Sequence, residues 1–282
     1  MSNSQVFKGR YAALLTRHSK EKTIAPVLES ATGCRVLVES SYDTDLFGTF
    51  TLDIPRPASQ MDTARLKAKK GMELLNADLG LASEGSFAPH PFNPFIPRNR
   101  EIVILLDSMN NIEIYGEYAG IETNFNQTNV KSLMEAEAFA RKTGFPEHFL
   151  IVSPHCGETE FIKGIHIWEQ LNEAVAWALS KSSDGYAVLQ TDMRAHANPT
   201  RMANIQKAAE NLVQKIHQKC PQCGTMGFSV VDYKRGLLCE WCGIPTDEIQ
   251  AEIYKCQRCS YIKETAVGKE KADPGRCGYC NP

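Results

Sequence analysis

Ser59 to Phe87, SQMDTARLKAKKGMELLNADLGLASEGSF, decides how the chain reads: a helix, a tight turn, then a strand that delivers an acid. Met61, Ala64, Ala68, Met72 and Leu75 recur at steps of three and four, so they share one helical face. Pro57 precedes the helix, and Ser59 with Asp62 makes an N-terminal capping pattern. Asn76-Ala77-Asp78 closes it, and Leu79-Gly80-Leu81-Ala82 is an apolar run suited to a short buried strand. Glu84 then stands among Ser83, Gly85 and Ser86, where the strand is expected to surface. An acid in that position suits a metal or a proton transfer; the plainer alternative is a solvated carboxylate.

Upstream, Tyr11–Thr16 reads as a buried first strand running into Arg17-His18-Ser19-Lys20-Glu21-Lys22, a loop with four potential cations. Ser19 is placed to cap a helix reaching about Ala31, with Ile24, Val27, Leu28 and Ala31 inward and Pro26 near its start. Strand, polar loop and helix start make an anion-binding geometry, because unpaired N–H groups point at the ligand; a solvated basic turn is the alternative. Cys34 reads as a small apolar residue. Arg35–Val38 is a second strand, ending at Glu39 and followed by Asp43 and Asp45. Residues 46–58 read as irregular.

Downstream, Ala88–Pro97 holds four prolines and is expected to be irregular, with Phe92 and Phe95 either pinning it to the body or stacking on a planar ligand. Glu101–Asp107, a Ser108–Asn111 turn and Ile112–Tyr118 read as a β-hairpin. A helix over about Leu133–Lys142 opens at Ser132-x-x-Glu135 and stops at Gly144. Phe149–Val152 is a strand leading to His155 and Cys156, which point opposite ways on an extended chain and so do not suit a catalytic couple. Trp168, Leu171, Val175 and Ala178 mark a helix, preceded by Lys163, a surface lysine or a phosphate contact. Tyr186–Gln190 is a strand. Asn198-Pro199 then signs the N-cap and first turn of a helix carrying Met202, Ile205, Ala209, Leu212 and Ile216. Arg194, His196, Asn198 and Arg201 therefore gather at a helix N-terminus, where the dipole favours an anion; Asp192 could instead supply the negative charge.

The tail is of another kind. Eight of ten cysteines form four Cys-x-x-Cys pairs, at Cys220/Cys223, Cys239/Cys242, Cys256/Cys259 and Cys277/Cys280. In a chain whose start lacks the apolar core of a secretion signal, that spacing indicates metal rather than disulfides. Four thiolates fill a tetrahedral Zn²⁺ shell, so two structural zinc sites are expected, paired in sequence order, with interleaving as the alternative. Residues 219–282 carry nine Lys/Arg against eight Asp/Glu; eight thiolates and two Zn²⁺ bring the formal charge to about −3. That disfavours nucleic acid and leaves docking to a protein partner, or self-association, for the ribbons.

The 282 residues, 43% hydrophobic and 23% charged with net charge −2, suit a sizeable α/β domain plus a small module. The expected boundaries are 10–217 for the α/β domain and 219–282 for the double zinc ribbon. No apolar run approaches a bilayer span, so a cytoplasmic location with no membrane partner is expected.

Thr63-Ala-Arg-Leu-Lys-Ala68 followed by Ala77–Phe87 is similar to a signature of the inosine-triphosphate pyrophosphatase superfamily, which includes the Maf-type and inosine/xanthosine triphosphatases. The resemblance covers about two-thirds of the chain. It implies a mixed sheet flanked by helices and a metal-dependent phosphohydrolase acting on a nucleotide or related phosphorylated metabolite. Arg17, His18, Lys20 and Lys22 would lie in the phosphate loop, Glu39 or Asp43 would join Glu84 on Mg²⁺, and Arg194 and His196 would approach the base. The chain departs from the pattern where Arg17-His18 replaces an expected Asn and where the acidic pair is reduced to Ser83-Glu84. Within this reading Lys20, Lys22, Arg194 and Arg201 neutralise phosphate charge, and His196 and Glu84 are the candidate catalytic groups. The whole chain, tail included, resembles an uncharacterised bacterial domain-of-unknown-function family. The competing reading is a non-enzymatic module that senses a nucleotide or anion.

Overall fold

A computed structural model describes residues 6–43, 59–91, 93–154 and 160–282. Asp45, Phe92, His155 and Cys156 lie outside the described residues. The chain divides into two compact units, Met1–Asn111 with Tyr115–Val213, and Ile112–Ile114 with Gln214–Pro282.

In the first unit the chain alternates strand and helix: β1 (Tyr11–Leu15), α1 (Glu21–Thr32), β2 (Arg35–Glu39), α2 (Gln60–Leu75) and β3 (Leu79–His90). β1 pairs in parallel with β2 on one side and with β3 on the other. β4 (Asn93–Asp107) then runs antiparallel to β3, and β5 (Ile112–Gly120) completes the sheet order β2-β1-β3-β4-β5. The result is a mixed sheet with helices, as the alternating pattern requires.

Pleat alternation sorts β3 into two faces. Ala82 packs with Ala64 and Ala68 of α2, so Gly80, Ala82 and Glu84 face that helix. Leu79, Leu81, Ser83 and Gly85 face the opposite side. Ser59 caps α2 by accepting from the Asp62 amide. The buried face of α2 is Thr63, Ala64, Lys67, Ala68 and Gly71, while Met72 and Leu75 are only half-buried. A lysine thus lies on the inward stripe.

A second sheet, order β6-β9-β7-β8, is antiparallel throughout: β6 (Gln127–Val130), β7 (Leu150–Ser153), β8 (Ile162–Ile165) and β9 (Ala187–Thr191). Helices α3 (Leu133–Lys142) and α4 (Trp168–Lys181) cover it through Phe139, Leu150, Val152, Leu171, Val175 and Leu189. Ser132 caps α3 as its sequence signature requires. Helix α5 (Pro199–His217) lies on β5 so closely that a Cβ at Gly116 would sit 2.1 Å from the Ala208 carbonyl. Only glycine fits there.

Three expectations are corrected. β3 does not stop at Ala82 but continues to His90, and residues 88–90 and 93–97 are paired strand at the end of the β3–β4 hairpin, with a register shift between Pro89 and His90, rather than an irregular loop. Pro89 stands opposite Pro97, and residues before and at proline favour extended backbone, so these prolines suit a projecting hairpin arm. Phe95 is 93% exposed and pins nothing to the body. Finally, Ser19 does not cap α1: the N-cap is Lys20, with no side-chain cap bond, and Ser19 has φ 56°.

The second unit is a three-stranded antiparallel meander, β10 (Ser229–Arg235), β11 (Ile249–Lys255) and β12 (Ile262–Ala266), with a cysteine knuckle at each turn of the chain. No helix among the described residues is long and apolar enough to cross a membrane.

Candidate functional site

Pairing of β1 with β3 ends at Leu14–Leu81, while β3 runs on. Ser83 and its neighbours therefore present backbone groups along a flank that β1 has left, at the carboxyl end of the parallel strands. Ligands of open α/β sheets commonly bind at such ends. The loop after β1 crosses there, and Lys20 Nζ donates to the Ser83 carbonyl at 2.6 Å. Lys20 is only 8% exposed.

Around it lies a buried set of charges drawn from four further elements. Lys67 of α2 meets Glu84 of β3 at 2.5 Å. On the opposite face Arg201 of α5 donates from Nε to Glu101 of β4 at 2.9 Å, with both side chains at most 1% exposed. Arg201 also donates to the Met193 carbonyl and lies over the Phe87 ring. Gly85 makes room for this pair, because a Cβ there would come within 2.5 Å of both Arg201 and Glu101. Asn99 donates to Glu101 at 3.0 Å and Asn204 donates to Asn99 at 2.9 Å, extending the network along α5. Asn198 caps α5 by accepting from the Arg201 amide.

At the rim, Arg194 makes a forked ion pair with Asp192, the shortest contact being 2.5 Å. His196 stacks on His18 with ring centroids 5.1 Å apart. Burial, with Lys20, His196, Arg201 and Arg194 nearby, pulls His18 down to about 2. Burial and Arg194 lower His196 as well, opposed by Asp192. Burial and then Arg201 lower Lys20 to about 7, with Lys67 adding to the effect and Glu84 and Glu101 opposing it. Two imidazoles and one amine are thus held away from their charged forms, first by burial and then by the cations beside them. The Ser83 hydroxyl, on the same face as Gly85, is buried and makes no hydrogen bond. A buried hydroxyl without a partner carries a desolvation cost that an incoming polar group would remove.

The expected site residues divide clearly. His18, Lys20, Glu84, Arg194, His196, Asn198 and Arg201 do surround one region of the first unit. Arg17 pairs instead with Asp43 at 2.6 Å, both about half exposed, and Lys22 is exposed on α1. Glu84 is not a surfacing strand-end acid: it is 5% exposed, lies within β3 and faces α2. Glu39 bonds to Ser41. Among the described residues Glu39, Asp43 and Glu84 form no three-ligand group. With Glu84 held by Lys67 in a cation-rich region, these carboxylates do not fit a Mg²⁺ shell, which needs several oxygens free to coordinate. Lys67, Ser83, Asn99, Glu101 and Asn204 were not expected. Glu101 had a signal, being an acid in phase with inward Val103 and Leu105; Lys67 had one in its place among the small residues of α2.

In the second unit the cysteines form two four-ligand groups, Cys220, Cys223, Cys256 and Cys259, and Cys239, Cys242, Cys277 and Cys280. Sγ separations across them are 3.7 and 3.6 Å in the first and 3.9 and 3.6 Å in the second. A tetrahedron with Zn–S near 2.3 Å has edges of about 3.8 Å, so both groups fit Zn²⁺. The pairing is interleaved, not sequential. The meander is the reason: β10 carries the chain away from the first knuckle to the second, antiparallel β11 returns it, and β12 carries it out again. Alternate knuckles necessarily meet. Between Cys256 and Cys259, the Gln257 amide holds both backbone groups of Glu113, tying Ile112–Ile114 into this unit.

A family model described as "Domain of unknown function (DUF6671)" matches residues 67–282, and the chain belongs to that family. No curated protein matches it. Nothing in these comparisons supports the resemblance to inosine-triphosphate pyrophosphatases.

Proposed function

Since membership of a family of unknown function brings no activity with it, we propose from the site itself that the first unit binds a phosphorylated small molecule, a nucleotide or related metabolite, and hydrolyses a phosphoanhydride bond in it. The observation that carries this reading is the convergence of His18, Lys20, Arg194, His196 and Arg201 on one region where buried basic side chains outnumber buried acids. Lys20, Lys67 and Arg201 stand against Glu84 and Glu101, and Arg194 with Asp192 is neutral as a pair. A phosphoryl group would bring negative charge to these basic side chains, and cations held in a dry site would stabilise charge developing on its oxygens. His196, kept neutral, is available to take a proton from an attacking water, and the Ser83 hydroxyl is available to a phosphoryl oxygen. No step is assigned to magnesium.

The test is a panel of nucleoside triphosphates and diphosphate esters, with and without divalent metal, assayed for released phosphate or pyrophosphate. Turnover that falls at least tenfold in His196→Ala, with the fold retained, supports the reading. Absence of turnover across the panel overturns it. The second reading, a non-enzymatic anion or nucleotide sensor whose ribbons dock a protein partner, is favoured by one feature: Glu84, Glu101 and Asp192 are all engaged by cations. It predicts ligand-induced thermal stabilisation without product.

A further inference from the structure

We infer that Lys20 is the proton-accepting group of this site, neutral while the pocket holds only its own side chains and protonated when a doubly charged oxyanion enters. The inference rests on the oxyanion-binding part of the proposed function and not on hydrolysis. Lys20 is enclosed: its ammonium has three donors, and its hydrogen bond goes to a backbone carbonyl, that of Ser83, not to a carboxylate. The charged groups acting on it come from four other elements and its own loop: Arg201 from α5, Lys67 from α2, Glu84 from β3, Glu101 from β4, and His18 beside it. Both acids are already committed, Glu84 to Lys67 and Glu101 to Arg201. Arginine keeps its proton under any protein conditions, so the desolvated lysine is the group that yields. Its fall to about 7 agrees with that ordering. An oxyanion placed beside Lys20 and Arg201 reverses the balance and returns the proton, so binding and protonation are linked.

The zinc-loaded full chain is titrated calorimetrically with sulfate, which keeps its charge between pH 5 and 9, and with inorganic phosphate, in buffers of different ionisation enthalpy. Uptake approaching one proton per sulfate is expected at pH 8, where His18 and His196 stay neutral. Uptake should fall toward zero at pH 5.5, and affinity should weaken by up to about tenfold per pH unit above 7. The ¹³Cε resonance of Lys20, assigned by its loss in Lys20→Met, should titrate near neutrality without anion and well above pH 8 with it. Sulfate binding without proton uptake, or a Lys20 resonance that titrates at the ordinary lysine value in the anion-free chain, overturns the inference while leaving the anion site standing. Proton-linked binding with no turnover on any nucleotide sustains it and removes the hydrolase reading. Failure of either oxyanion to bind overturns both.

Discussion

The two units solve the burial of charge in opposite ways. In the tail, the ligands come in local pairs, two cysteines three residues apart, repeated four times, and the two four-thiolate groups fit zinc, which would neutralise part of their charge. In the first unit, the charges come from residues 18–20, 67, 84, 101 and 192–201, and they pair on the two faces of a sheet. The tail is also thin. Most of β10 and all of β12 are exposed, and its described core cluster is small, centred on Phe228 against Tyr254 and Tyr261 beside Cys220 and Cys256. A unit with so little apolar burial would draw its stability from the metal its two four-cysteine groups fit. The first unit buries several strands on both faces and can carry an imperfectly balanced polar site.

The sharpest way to break this comparison is through zinc. Structural zinc contributes on the order of 10 kcal/mol or more to folding of small metal domains. Stripping it with a strong chelator should therefore unfold the tail while far-ultraviolet signal from the first unit persists. Zinc content tests the interleaving. Cys220→Ser with Cys256→Ser should retain one zinc, because both changes fall in one site. Cys220→Ser with Cys239→Ser should retain none, whereas sequential pairing would give the reverse for this double variant.

A smaller effect is expected in the first unit. Removing one partner of a buried ion pair costs about 3–5 kcal/mol, because it strands the other charge. Arg201→Met should lower the unfolding free energy from urea denaturation by that amount, and adding Glu101→Gln should restore much of it. If the single and double variants are equally unstable, the pair is not the source of the loss.

The smallest effect is the pH slope from Lys20. Its pKa is lowered on folding, so the unfolded chain holds the extra proton between the folded value near 7 and the ordinary 10.5. Unliganded stability should thus rise through that window, by at most about 1.4 kcal/mol per pH unit. Lys20→Met should lose that part of the slope, as read from urea midpoints at pH 7 and 9.

What the sequence made legible follows from the same contrast. The Cys-x-x-Cys pairs made two four-cysteine groups legible because ligand spacing is short-range chemistry; the expected sequential pairing was wrong because pairing depends on a three-strand meander. The helices at 133–142 and 199–217 were readable from their caps at Ser132 and Asn198. The prolines of 88–97 misled, because a hairpin arm tolerates them where a central strand would not. The loop at 16–20 and the Arg194–Arg201 segment were both legible as anion-seeking. What joined them was not: Lys67 and Glu101 lie in stretches that read as scaffold, and only the packing of α2 and α5 against β3 and β4 turns them into neighbours of Glu84 and Arg201. Glu84, the most prominent acid in the sequence, is held by Lys67, and it is the carbonyl of the less conspicuous Ser83 beside it that meets Lys20.

The central claim is that this region holds an oxyanion. Calorimetric titration of the zinc-loaded chain with sulfate at pH 7 tests it most directly. The account predicts saturable binding near one per chain that weakens at least tenfold in Lys20→Met. No measurable heat, together with an unchanged melting temperature at saturating sulfate or phosphate, would contradict it.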